Sequence, residues 1–358
     1  MPIVTDHYEL IVGVDTHAAS HTFAVVASAT TAIVDTAAFP ANQPGMVRAL
    51  AWITRRCADR PVLLVVEGTG SYGAILTDHL LTAGLPVVEA ASMPASSRRG
   101  VGKSDDLDAV RIARAAAGLR IDELRWPRAE GPRVALRVLV GARELMNNER
   151  TRHTNALTAL IRTASLGVDA RKPLTTSQIT TIASWRSRDE APALAVCRRE
   201  ATRMAKRIKD LDDELADNRR RLDALTVQEA PELIALPGVG PIVAAQVLIA
   251  WSHPGRVRSE AAFASLAGTC PIPASSGNTV RHRLNRGGDR QLNKALYTIA
   301  MYRMGHHPAT QAYVTRRTAE GRTTKEIIRI LKRYIARQLF RTLTAAHPVR
   351  AAIEPRAA

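Results

Sequence analysis

Leu10-Ile11-Val12-Gly13-Val14-Asp15 is an apolar run closed by a carboxylate, and Leu63-Leu64-Val65-Val66-Glu67 repeats the pattern further along the chain. Short continuous apolar runs of this kind read as strands buried on both faces, and the ends of such strands are where α/β sheets put their chemistry. Working outward, residues 9–15, 21–28 and 31–39 read as three strands joined by short polar turns, an antiparallel meander, and residues 45–58 as a helix. A strand at 61–67, a helix near 72–83 opened by Gly68-Thr69-Gly70-Ser71, and a strand at 85–90 continue as βαβ, which makes the sheet mixed.

Residues 91–102 are small, polar and glycine-bearing, a loop leading into Lys103-Ser104-Asp105-Asp106-Leu107-Asp108-Ala109 at the start of an Ala-rich helix. The i,i+3 spacing of Asp105 and Asp108 puts both on one helical face, while the phase of Asp106 turns it away. Asp15, Glu67, Asp105 and Asp108 are thus predicted to gather between strand ends and a helix. Hard divalent cations such as Mg²⁺ or Mn²⁺ need several anionic oxygens, and four acids meet that need. Each acid alone has an ordinary reading: a strand-end Asp closes turns, and acids in a first helical turn suit the helix dipole. The conjunction points to a metal-dependent nuclease, and the order βββαβαβα resembles a ribonuclease-H-like fold.

The chain has 358 residues, enough for two or three domains with real cores. Its 50 Lys and Arg against 33 Asp and Glu give a net charge of +17, which points to a polyanionic partner such as nucleic acid. Residues 229–358 carry 19 Lys/Arg against 7 Asp/Glu, so the basic surface is expected to be largely C-terminal. Aromatics at 4% are too few for a surface that reads single strands by base stacking, leaving backbone charge to dominate affinity. Cys57, Cys197 and Cys270 lack CxxC spacing, which argues against a disulfide framework or structural zinc and suits a reducing cytoplasm. Neither a signal peptide nor an 18-residue apolar stretch is evident, so no membrane partner is expected.

Residues 132–165 read as a helix whose apolar face is interrupted by Asn147, Asn148, Glu149 and Arg152. From Cys197 to Leu225, the series Cys197, Ala201, Met204, Ile208, Leu211, Leu215, Asn218, Leu222 and Leu225 alternates by fours and threes, a coiled-coil seam. Asn218 in such a seam costs stability and can fix register or oligomer number. An ordinary helical hairpin packing 197–225 on 132–165 fits the pattern equally.

Leu233-Ile234-Ala235-Leu236-Pro237-Gly238-Val239-Gly240-Pro241 looks like the turn of a helix-hairpin-helix element, with Gly238 and Gly240 letting backbone N–H groups face a phosphate. A glycine turn between two core helices is the plainer reading. Ser275-Ser276-Gly277 then precedes Arg281, Arg283, Arg286 and Arg290. A serine on flexible backbone followed by arginines is what covalent phosphoryl transfer requires, although a lone serine beside glycine is more often a turn residue. Residues 324–340 form a basic amphipathic helix able to pack one face and hold phosphate with the other.

Taken together, Val14-Asp15-Thr16-His17, Glu67-Gly68-Thr69-Gly70, Lys103 to Ala109, the Leu-Pro-Gly-Val-Gly-Pro turn and Ser275-Ser276-Gly277 resemble, in order, the DEDD transposases of the insertion-sequence one-ten family. The resemblance covers nearly the whole chain. It implies an α/β RuvC-like domain (1–128), an all-α coiled-coil region for oligomerisation (129–228), a mainly helical transposase domain (229–345) and a disordered tail (346–358). It further implies that Asp15, Glu67, Asp105 and Asp108 are the acidic tetrad holding Mg²⁺ or Mn²⁺, and that Ser276 is the nucleophile, with Ser275 the adjacent alternative. Asp106 stands where the family has a polar or basic residue, an alternate ligand. Arg286-Gly287-Gly288-Asp289-Arg290 stands for the family's Lys/Arg-x-Gly segment.

The implied activity is recombination of donor and target DNA guided by a non-coding bridge RNA, through a covalent phosphoserine intermediate. It would be carried out by a cytoplasmic, nucleoid-associated bacterial homo-oligomer, dimer or tetramer, whose acids and serine meet by domain docking, within or across protomers. Two rivals stay open: a hydrolytic nuclease resembling a junction resolvase, with metal-activated water as nucleophile, and a non-catalytic nucleic-acid scaffold.

Overall fold

In the computed structural model, which describes residues 2–91, 104–128, 132–275, 277, 282–283 and 285–347, one helical turn, α1 (Val4–His7), leads into β1 (Leu10–Thr16), β2 (Ser20–Ala27) and β3 (Ile33–Pro40). There follow α2 (Gln43–Cys57), β4 (Val62–Val66), α3 (Ala74–Thr82), β5 (Val87–Glu89) and α4 (Asp105–Ala117). The strands make one sheet in the order β3-β2-β1-β4-β5. The first three pair antiparallel, and β4 lies parallel to β1 and to β5. This mixed sheet is compatible with the expected fold, and every observed strand end lies within two residues of the predicted one.

Every residue of β1 is buried, as its apolar run requires. Period-two alternation sends Leu10, Val12 and Val14 to one face, against Met46, Trp52, Ile53, Leu76 and Leu80 of α2 and α3. There Phe23, Phe39 and Trp52 meet as a triad with centroids 5.7–6.3 Å apart. Ile11, Leu63, Val65 and Val88 face the other way, onto Ile112, Ala113 and Ala116 of α4. Asp15 and Glu67 share the parity of this second face.

The chain divides into two compact units, Met1–Arg128 and Ala129–Ala358. The second is helical: α5 (Pro132–Thr163), α6 (Thr176–Ala183), α7 (Pro192–Glu229), α8 (Pro231–Ile234), α9 (Pro241–Trp251), α10 (Glu260–Leu266), the two-stranded ladder β6 (Ile272–Pro273) and β7 (His282–Arg283), α11 (Arg290–His306), α12 (Pro308–Ala319) and α13 (Thr324–Ala346). The heptad seam on α7 packs on α5 of the same chain. Leu139 meets Asn218, whereas Glu149 meets Arg207 and Arg150 meets Asp212, so the two helices run antiparallel. Asn218, 6% exposed, donates from Nδ2 to the Leu139 carbonyl at 2.9 Å, which satisfies its amide inside this hairpin. The hairpin alternative therefore accounts for the seam, including its polar residue. Leu136 and Leu222 belong to the same core as α9, α11 and α13, whereas Leu157, Ile161, Ile179, Ile182, Ala205 and Ile208 close a separate core at the far end. Residues 92–102 of the predicted 91–102 loop and the residues of the predicted tail after 347 lie outside the described residues.

Candidate functional site

The β1/β4 register aligns Val14 with Val66, which sets Asp15 and Glu67 side by side at the carboxyl ends of two parallel strands. The Glu67 N–H donates to the Val14 carbonyl, and Thr16 Oγ1 donates to the Glu67 carbonyl at 2.9 Å, fixing the backbone where the acid emerges. Gly68 turns the chain at φ +64° directly after it. Ser104 caps α4, its hydroxyl accepting from the Leu107 N–H, so Asp105, Asp106 and Asp108 all occupy the first turn. The helix then crosses β1 at Gly13, two residues before Asp15 on the same face.

The result is an acidic focus. Asp15 is 7% exposed, and among the described residues no hydrogen bond reaches its carboxylate. Burial pushes its carboxyl above the ordinary range. The charge of His17 opposes that shift, while those of Glu67, Asp105 and Asp108 add to it. A buried carboxylate without donors, surrounded by like charge, fits a cation as partner. The donor atoms of Asp15, His17 and Asp105 all lie within 4.8 Å of one another. Glu67 and Asp106 are exposed, and Asp108 is engaged by Arg111, whose Nη1 donates to Oδ1 at 2.8 Å. His17, Arg111 and Gly13 carried no role in the sequence reading. The signal for His17 was its i,i+2 spacing from Asp15 at the end of a strand, which returns a side chain to the same face.

In the second unit, Ser276 and Arg281 lie outside the described residues. Ser275 is exposed and Gly277 has φ +54°. Arg283, Arg286 and Arg290 are exposed as well. Of the two glycines in the Arg286–Arg290 segment, Gly288 has a packing function: a Cβ there would fall 2.4 Å from the Gly268 nitrogen. Asp289 accepts from the Gln291 and Leu292 N–H groups to cap α11. This backbone-on-backbone contact brings the turn after α10 beside the arginines. Two cavities flank it. One, of about 570 Å³, is lined by Arg286, Arg290 and Lys294, and the other, of about 680 Å³, by Arg283, Arg322, Arg329, Lys332, Arg333 and Arg337. Lys332 is steadied by Asn293 Oδ1 at 2.7 Å.

Gly238 takes φ +79° against the Tyr302 ring, and Gly240 caps α9, so the predicted turn is present. Its first helix, α8, has only four residues. Buried Arg303 locks the turn by donating from Nε to the Pro237 carbonyl at 2.8 Å and from Nη1 to Gln338.

The profile of the DEDD transposases of IS110 elements matches residues 12–165, and that described as the Transposase IS116/IS110/IS902 family matches residues 230–315. An acid-bearing mixed sheet followed by a cationic helical unit is, with these matches, a transposase, an enzyme that acts on DNA. Over 327 residues, 77% of this chain and 80% of the relative, the sequence is 27% identical to an uncharacterised protein of insertion element IS110 from Streptomyces coelicolor. It is 28% identical over 273 residues, 68% of this chain and 66% of the relative, to y4rJ of Sinorhizobium fredii, provisionally named a transposase. A pilin gene-inverting protein of Moraxella bovis is 31% identical over 99 residues, 27% of this chain and 31% of that one. The chain belongs to the IS110 family of DEDD transposases. Among the described residues, no helix is long and apolar enough to cross a membrane.

Proposed function

We propose that this transposase excises and inserts its own mobile element through a covalent protein–DNA intermediate, guided by a bridge RNA. The observation that carries the reading is the convergence of Glu67, Asp105 and Asp108 on the buried, donor-free carboxylate of Asp15. Asp15, Glu67, Asp105 and Asp108 would hold Mg²⁺ or Mn²⁺, which when bound neutralises and polarises a scissile phosphate. Ser276 Oγ attacks that phosphorus: the Ser–O–P bond forms, the bond to the DNA oxygen breaks, and the serine proton ends on the departing hydroxyl. Attack by another strand's hydroxyl reverses the step, so rejoining needs no ATP.

Arg281, Arg283, Arg286 and Arg290 stabilise phosphate charge around the serine, and the cavity along α13 supports a path for the DNA backbone. The Gly238–Gly240 turn adds a sequence-independent grip. Base pairing with the RNA reads donor and target, and a dimer or tetramer brings acids and serine to one phosphate.

The test is recombination in vitro with Mg²⁺, element-end DNA, target DNA and RNA from the element's non-coding flank, comparing wild type with Ser276→Ala. A protein-linked DNA adduct formed only by wild type and only with RNA supports the proposal. Free cleaved ends from both proteins would replace it with a hydrolytic nuclease.

A further inference from the structure

We propose that His17 supplies a nitrogen ligand to the cation held by Asp15 and Asp105, which makes this a mixed nitrogen–oxygen site. The inference rests on the metal reading of the acidic focus and goes beyond it, because the four acids imply an all-oxygen site.

Three observations carry it. The first is position: β1 ends at Thr16, and the His17 N–H donates to the Ser20 carbonyl at 3.0 Å, which fixes the turn into β2. The imidazole, 52% exposed, therefore stands at the rim on the same side of the chain as Asp15. Second, its Nδ1 lies 3.8 Å from Asp15 Oδ2, too far for a hydrogen bond but close enough for both atoms to bind one ion. His17, Asp15 and Asp105 form the tight donor set, with all three ligand atoms inside 4.8 Å. The third is what the remaining acids do. Asp108 is engaged by Arg111, and Glu67 stands outside the tight set, so His17 is the third donor grouped with Asp15 and Asp105 among the described residues. Asp15, more than nine-tenths buried and without a hydrogen bond among the described residues, supplies the anchoring charge.

The consequence is selectivity. Magnesium takes oxygen ligands and gains little from imidazole, whereas Co²⁺, Ni²⁺ and Zn²⁺ bind imidazole well and Mn²⁺ accepts it. His17 should therefore tilt the site toward these ions.

The experiment uses the full chain with Mn²⁺ and Co²⁺ in wild type, His17→Ala and Asp15→Asn. Electron spin-echo envelope modulation of bound Mn²⁺ reads a directly coordinated imidazole nitrogen, and calorimetry reads affinity. The expected result is a nitrogen coupling in wild type that His17→Ala abolishes. Co²⁺ affinity should fall roughly tenfold in that variant while Mg²⁺ affinity changes less than about threefold. Mn²⁺ binding that Asp15→Asn removes, but that shows no nitrogen coupling or one unchanged in His17→Ala, would overturn the role of His17 and leave the metal site standing. No Asp15-dependent binding in wild type would overturn both.

Discussion

Gly13 lies directly beneath Ala109: a methyl group at position 13 would fall 2.0 Å from the Ala109 carbonyl oxygen and 2.6 Å from the Ala113 nitrogen. Both neighbours are helix backbone, which cannot swing aside as a side chain can. The absence of a side chain at Gly13 therefore sets how closely α4 approaches β1, and α4 begins with Asp105. The distance from Asp105 and Asp108 to Asp15 is an indirect consequence of one missing methyl.

Gly13→Ala should thus do two things at once. Forcing a methyl into packed backbone costs about 1–3 kcal/mol or more, against the roughly 0.5–1 kcal/mol that alanine ordinarily gains over glycine within a strand. Lifting the start of α4 should also weaken divalent-cation binding. Thermal denaturation together with Mn²⁺ calorimetry checks both, and a variant with wild-type melting and wild-type affinity would show that the contact does not position the acids.

Arg111 acts on the same focus with opposite sign. Its side chain and that of Asp108 are 18% and 16% exposed, and its buried Nη2 has no hydrogen-bond partner among the described residues. A pair this sheltered competes with any cation for Asp108. Arg111→Met keeps the stem packed and frees the carboxylate, so Mn²⁺ affinity should rise by up to roughly tenfold, about 1.4 kcal/mol. Without metal, the same variant should be less stable by about 1–3 kcal/mol, because Asp108 loses its donor. Calorimetry showing weaker binding would mean that Arg111 orients Asp108 for the ion instead of withholding it.

The sheet was legible because the apolar runs Leu10–Val14 and Leu63–Val66 are each followed by an acid, and because Gly68 and Ser104 mark the adjoining turn and cap. Period-two parity alone puts Asp15 and Glu67 on one face. What linear reading missed depends largely on proximity: that Gly13 admits a helix and that Gly288 meets Gly268 are facts about backbone approach, which local pattern does not encode, whereas Arg111 and Asp108 have the i,i+3 spacing that a helix brings together. On α7, Ala201, Ile208, Leu211, Leu215, Asn218 and Leu222 of the fours-and-threes series are buried, but the series left its partner open. Heptads specify a complementary surface without saying whether it belongs to the same chain, and here the Leu139 carbonyl settles the partner of Asn218.

That pairing can be tested apart from catalysis. Asn218→Ala removes a second donor from the Leu139 carbonyl, which lies inside α5, and the longer of two Arg143 contacts, since Arg143 Nη1 still donates to the Leu215 carbonyl at 3.0 Å. The expected loss is about 0.5–1.5 kcal/mol of stability. Light scattering should give the same molar mass as wild type, because the buried face of α7 is covered by α5 of its own chain. A change in mass would show that this position governs association between chains.

At the other end of the hairpin, Arg198 grips Glu190 through two bonds, Nε to Oε1 at 2.7 Å and Nη2 to Oε2 at 2.8 Å, with its guanidinium 5.0 Å from the Trp185 ring centroid. These bonds, followed by burial acting the other way and the charge of Arg198, hold the Glu190 carboxyl below the usual range. The unfolded chain therefore binds the proton more readily than the folded one. The stabilisation is fully present above the ordinary glutamate value of about 4.3 and is lost as pH falls through the lower folded value. Glu190→Gln removes the charge at every pH, so its melting temperature should lie below that of wild type near neutrality, and the two curves should converge in acid. Melting curves from pH 7 down to pH 3 would reveal this, and a gap that stayed constant with pH would mean that packing around Arg198, not the ion pair, holds this end of the arm.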